Sequence, residues 1–264
     1  MDFTELLDSS LTCELEILNK LHQNSNWITL VELETSTGYN KKTIMKYLKI
    51  LAEKKNIIAA KVIHIKKGTG VKLALSDYQY KVLKISIINE CIPFTIIKMI
   101  TETGSVSLSR LMQETFLSES SISRHITKLK KHLQMYNLNL VTNNGSYYCS
   151  GNEHTLRYYL YAAFWEVYHG ITWPFNDQLF DKISSDIDKL SKYLTYQMSA
   201  SMYNQATLVL AINFLRYQNG HPIQIENDWV ELIDINKTSF KHFNKLAKML
   251  IKFYCLPIQE THFF

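Results

Sequence analysis

The chain has 264 residues, about twice the size of a usual domain, which predicts two or three domains. Its 46% hydrophobic content with only 4 Pro and 8 Gly excludes a disordered chain, and a net charge of +5 favours a polyanionic partner only mildly. No eighteen apolar residues run uninterrupted, and the opening M-D-F-T-E-L-L-D lacks the basic and apolar regions of a signal peptide, so a cytoplasmic protein without a membrane partner is expected.

In chain order, Leu15, Leu18 and Leu21 share one face and predict a helix over 12–24, with Thr12 as a candidate N-cap. Leu30 and Leu33 fit a short helix closed by Gly38. Asn40 is the expected cap of a helix over 41–54, whose apolar face is Ile44, Leu48 and Leu51. Residues 57–64 and 71–75 are strand-like around the flexible K-K-G-T-G. A connecting helix follows from Asp77 to Asn89, then one over 93–102 with Pro93 in its first turn. Leu108 and Leu111 mark another short helix, and Ser118 caps a helix from Glu119 to about Met135 that buries Ile122, Ile126 and Leu129. Strands at 138–142 and 146–149 flank N-N-G, a strong hairpin-turn signal.

The order of these elements repeats. The stretch from Ile28 to Leu48 superposes on that from Val106 to Ile126 at an offset of 78 residues. Leu30 falls on Leu108, Leu33 on Leu111, Ile44 on Ile122 and Leu51 on Leu129. That pattern predicts two helix-turn-helix units, each followed by a hairpin wing. After Gly151 the hairpin signals cease. Helical, aromatic segments over 153–168, 174–197, 202–219 and 236–254 predict a bundle packed with Leu156, Leu160, Phe164, Leu190, Leu208, Ile212, Leu215, Leu246 and Leu250. The expected fold is mainly α with short β-hairpin wings. It divides into a first winged helix-turn-helix domain over 1–76, a connecting helix and second such domain over 77–151, and an all-α domain over 152–264.

Charge follows this division. Residues 1–150 carry 19 Lys and Arg against 13 acids, and residues 151–264 carry 10 against 11. Ten of the lysines crowd into residues 38–72 beside a single acid, Glu53. Such a field attracts phosphates and is screened by salt.

A helix in the major groove reads bases through exposed polar and basic side chains. The first candidate reading face is Asn40, Lys41, Lys42, Thr43, Lys46, Tyr47 and Lys49, with Lys66, Lys67 and Lys72 on the wing. These residues promise affinity more than specificity. The second face is Ser118, Ser120, Ser121, Ser123, Arg124, Thr127, Lys128 and Lys131. Arg124 is the best candidate for a base contact, because a guanidinium matches guanine O6 and N7 bidentately.

No catalytic or phosphate-loop motif is present, the nine histidines are dispersed, and Cys13, Cys91, Cys149 and Cys255 form no C-x-x-C. Neither an enzyme nor a metal or other cofactor is expected. The cysteines read as buried free thiols in a reducing compartment. Another binding role fits winged helices as well: an adaptor that uses them to grip proteins.

The repeat, the wings and the aromatic helix after them together resemble the Mga-like family of virulence and sugar-metabolism regulators of Gram-positive bacteria. S-L-S-R-L-M-Q-E-T-F-L-S-E-S-S-I-S-R-H-I-T-K-L resembles that family's central helix-turn-helix. The run from Glu153 to Gly170 and R-Y-Q-N-G-H-P-I resemble parts of its helical regulatory domain, the PRD. The resemblance implies a double-stranded DNA-binding transcription regulator, often an activator, that forms homodimers or larger assemblies. It also implies regulation by phosphotransferase-system proteins, for which His221 and His169 are candidate phosphorylation sites, and, because PRDs also occur there, it leaves an RNA-binding antiterminator as the alternative. Family members normally continue into a second PRD and a IIB-like domain that 264 residues cannot hold, so a fragment or a short variant is expected.

Overall fold

A computed structural model describes residues 3–54, 62–194 and 197–223, with backbone alone at residues 190, 193 and 194. The predicted helix over 236–254 (with Leu246 and Leu250), Cys255, Lys55, Lys61, most of the strand over 57–64 and the Leu190 side chain lie outside those residues.

The first repeat comprises α1 (Ser9–Gln23), α2 (Leu30–Thr37), α3 (Lys41–Glu53), β1 (Ile63–Lys66) and β2 (Gly70–Leu73). A linking helix, α4 (Asp77–Ile88), leads to the second: α5 (Ile92–Thr103), β3 (Val106–Ser107), α6 (Leu108–Thr115), α7 (Glu119–Gln134), β4 (Asn139–Asn143) and β5 (Ser146–Ser150). Three helices, α8 (Glu153–Tyr168), α9 (Asp177–Leu194) and α10 (Ala200–Gln218), follow. The molecule is thus mostly helical with small antiparallel hairpins.

The two repeats share more than element order. Ile28 forms a single bridge to Val71 of β2, and 78 residues later Val106 of β3 pairs with Tyr147 of β5, so each hairpin is met at the same edge, by one residue in the first repeat and by a short strand in the second. Sequence periodicity did not reveal β3, because a two-residue strand is too short to show alternation. Gly70 is required by the first of these pairings, since a Cβ there would lie 2.2 Å from the Ile28 carbonyl oxygen.

Helix starts obey capping chemistry. Thr29 and Glu32 form a capping box, Thr29 N donating to Glu32 Oε2 at 2.7 Å and Glu32 N to Thr29 Oγ1 at 3.2 Å. Donation to Glu32 Oε2 from Thr29 N and from the Thr29 hydroxyl at 2.8 Å holds the carboxyl below its usual range. Asn40 and Ser118 cap α3 and α7 as expected. Thr12 does not cap α1, which begins three residues earlier with Asp8 as N-cap; the Thr12 hydroxyl instead donates to the Asp8 carbonyl. Inside each repeat the matched apolar residues Leu33, Ile44, Leu48 and Leu51, and Leu111, Ile122, Ile126 and Leu129, are buried. Each contributes about 1.5–3 kcal/mol by leaving water.

Both α4 and the opening segment help to join the repeats. On one side Tyr80 of α4 donates to Asn19 of α1 at 2.7 Å and stacks on His22 at 3.6 Å. On the other, a 3-10 turn over Thr4–Leu6 lays the start of the chain across α7. Phe3 and Leu6 are buried there, with the Phe3 ring 5.5 Å from His132 and 5.6 Å from Tyr159. Cys91 Sγ donates to the Leu6 carbonyl at 3.3 Å. Burial pushes the Cys13 and Cys91 thiols up to about 11 and Cys149 up to about 12, so all three are protonated packing residues.

Within the helical part α10 is tied to α8, and α10 packs on α5 of the second repeat. Arg216, 2% exposed, binds Glu153 through Nη2–Oε2 at 2.7 Å and Nε–Oε1 at 3.0 Å. Arg157 adds a bond to the same carboxylate at 2.8 Å. Burial raises the Glu153 pKa, but the two guanidinium groups more than offset it and hold the carboxyl below its usual range. Asn219 donates to the Thr101 and Glu102 carbonyls at the end of α5.

Candidate nucleic-acid interface

On α3 the basic residues Lys41, Lys42, Lys46 and Lys49 are exposed, as is Asn40, and Thr43 is half-buried. Their spacing follows from the apolar face: with Ile44, Leu48 and Leu51 turned inward, the intervening lysines must face out. Lys42, Met45, Lys46, Lys49, Ile50 and Glu53 edge a shallow groove along this face. Tyr47 does not belong to it. The ring is 8% exposed in the core, with Lys46 Nζ 5.1 Å from its centroid. Lys66 and Lys67 project from the hairpin, and Lys72 is half-buried opposite His64.

Lys54, one of the ten clustered lysines, is turned away. Its ammonium binds Glu14 at 3.3 Å and also Glu90. Burial raises the Glu14 carboxyl, and Lys54 offsets only part of that rise. This lysine therefore serves the junction between α1 and α4 and adds little to an external field.

The start of α7 is a hydrogen-bonded cluster. Ser118 Oγ accepts from Ser121 N at 3.4 Å and lies 3.1 Å from both Ser120 Oγ and Ser121 Oγ. Arg124 Nη2 donates to Ser121 Oγ at 3.2 Å, which aims an exposed guanidinium along the helix face. Ser123 and Lys131 are exposed; the Thr127 hydroxyl donates to the Ser123 carbonyl at 2.9 Å.

Lys128 departs from this face. Its Nζ donates to the Leu7 carbonyl at 2.7 Å and lies 3.7 Å from Asp8 Oδ1. His125 Nδ1 lies 4.0 Å from the same carboxylate oxygen, and His132 Nδ1 3.8 Å from Glu5 Oε2. Helical spacing sets Lys128 with Ser121, His125 and His132, on a flank covered by the opening segment. Sequence reading missed this clasp, because its partners are more than 110 residues apart.

It also passed over Phe116, in the turn before α7, although the 78-residue offset places it on Gly38. The two candidate histidines differ in setting. His169 ends α8 in a left-handed conformation and is exposed. His221 is half-buried, its carbonyl accepting from Arg157 Nη2 at 2.7 Å. Burial, with Arg216 and Arg157 nearby, lowers its pKa and favours the neutral ring.

The second repeat's sequence decides its kinship. Residues 77–164 match the Mga helix-turn-helix domain. The Mga match begins at α4 and runs past the second hairpin into α8, in keeping with the packing of α8 against α4 and β5. Over longer stretches the chain is similar to two proteins of Bacillus anthracis. One is the capsule synthesis positive regulator AcpA, 24% identical over 227 residues, covering 85% of this chain and 46% of that protein. The other is the anthrax toxin expression trans-acting positive regulator, 22% identical over 253 residues, covering 94% of this chain and 51% of that protein. The chain spans about half the length of the curated relatives it matches. No described helix is long and apolar enough to cross a membrane, and among the described residues no group of three or more His, Cys, Asp and Glu could hold a metal ion.

Proposed function

We propose that this chain is the DNA-binding part of a transcriptional regulator, with two tandem winged helix-turn-helix units ahead of a PRD-like helical domain. The observation that carries the reading is the exposed Ser120–Arg124 cluster at the start of α7, inside the segment matching the Mga helix-turn-helix domain. In this reading α7 reads bases with Arg124, while α3 and its wing hold phosphates through Lys42, Lys46, Lys49, Lys66 and Lys67. The names of the relatives, both positive regulators, favour an activator of virulence-associated genes. A homodimer would present both units to two half-sites. The PRD-like helices would carry regulation by phosphotransferase-system proteins, with His221 the better placed acceptor because its ring is held neutral beside two arginines.

Titration of labelled duplex DNA with the chain tests the reading. Five lysine–phosphate contacts predict an affinity loss of about 10²–10³ between about 50 and 200 mM salt. Absence of duplex binding, binding without salt dependence, or preference for single-stranded RNA would contradict it.

A further inference from the structure

We propose that Phe116, in the turn between α6 and α7, is a specificity residue that packs against the methyl edge of thymine in the major groove. The inference rests on the reading of the second repeat as a DNA-binding unit.

Comparison of the two turns carries it. Gly38 N donates to the Glu34 carbonyl at 2.8 Å, and Phe116 N to the Met112 carbonyl at 3.0 Å. Both residues are left-handed, with φ of 74° and 55°. The turn is the same in both repeats, but its occupants are not. Glycine takes this conformation freely, whereas a bulky L-residue meets a steric cost because its Cβ crowds the backbone. Burial does not repay that cost, because Phe116 is 92% exposed while the next residue, Leu117, packs against the core. The ring is therefore unfavourable both in conformation and in hydration within the folded chain. Its favourable contact lies outside the described residues.

Position selects the occupant. Phe116 precedes the N-cap Ser118 by two residues, at the end of α7 that presents Ser120, Ser121 and Arg124. Recognition helices meet base edges with their N-terminal residues, and the thymine C5 methyl is the apolar feature those edges offer. The exposed carboxylates of Glu114 and Glu119 on either side would repel a phosphate, so a base edge suits this spot better than the backbone. Phe116 and Arg124 would then read different features from one helix end, an apolar methyl and a polar guanine edge.

The test uses duplexes that the parent chain selects from a random-sequence library, each prepared with thymine and with uracil in its place, a change that removes only methyl groups. The parent chain should prefer the thymine form about fourfold, the worth of one methyl taken out of water. Phe116→Gly should abolish the preference while its thermal midpoint stays level or rises, because glycine relieves the left-handed turn. Phe116→Ala, which keeps the backbone cost and loses the ring, should abolish it too. No methyl preference in the parent, or full preference retained in both variants, overturns the proposal and would leave the ring to a protein partner. A parent that selects no duplex removes the DNA-binding reading itself. A parent that selects duplexes and loses discrimination in Arg124→Ala, but keeps its methyl preference in Phe116→Gly, removes this inference alone.

Discussion

The first and second repeats share a strand order, a cap position and a turn, yet they present different chemistry to the solvent. The first exposes lysines along α3 and around its hairpin; the second exposes serines and one arginine at the start of α7 and has its rear flank clasped by Glu5, Leu7 and Asp8. Backbone topology is set by the buried residues the two repeats have in common. Surface chemistry is free to diverge on the residues between them, and it diverges toward charge in one repeat and directed hydrogen bonding in the other. The second is also held by the helices behind it: α10 packs on α5 and Asn219 donates to the Thr101 and Glu102 carbonyls, while Arg216 and Glu153 tie α10 to α8.

That asymmetry can be broken at its strongest point. Arg216→Ala leaves a largely buried carboxylate short of its bidentate partner and should cost about 3 kcal/mol. Hydrogen exchange should show the loss in α5, α8 and α10, with amides of α1–α3 unaffected; equal loss in both repeats would mean that they do not differ in their support. The same pair sets an acid limit. Because the folded Glu153 pKa is lowered, its stabilisation is complete above the ordinary value of 4.5 and is lost as pH falls through the lowered value. Below pH 4.5 the thermal midpoint of the parent should therefore fall more steeply than that of Glu153→Gln.

Replacing Lys42, Lys46 and Lys49 together by Gln should lower the slope of log affinity against log salt by about 3. All duplex sequences should weaken alike. Arg124→Ala should instead remove about 1–3 kcal/mol of discrimination at one base position, read from competition between matched and mismatched duplexes. The smallest effect is expected at Lys128. With its ammonium committed to Leu7 and Asp8, Lys128→Met should leave the salt slope unchanged, whereas a fall of about 1 would show that Asp8 yields to phosphate.

Much of this arrangement was legible in the sequence, because local rules govern it. The apolar spacing of Ile44, Leu48 and Leu51 fixed the outward lysines, Asn40 and Ser118 announced their helices, and N-N-G produced a hairpin with Asn144 and Gly145 both left-handed. What escaped depended on partners distant in the chain. Lys54 and Lys128 look like their basic neighbours until Glu14, Glu90 and Asp8 arrive from elsewhere in the fold. Tyr47 looked exposed because aromatic and polar character are combined in one side chain, and tertiary packing decides which prevails. Thr12 lost the cap of α1 for a similar reason: the opening turn positions Asp8 first, and the helix starts there.

The most direct test of the division between the repeats is one pair of duplexes, matched and mismatched, titrated across salt with the parent, the triple lysine variant and Arg124→Ala. The lysine variant should lose salt slope and keep the ratio of the two affinities; Arg124→Ala should lose the ratio and keep nearly all the slope. The same pattern from both variants would contradict a clamp and a reader on separate repeats.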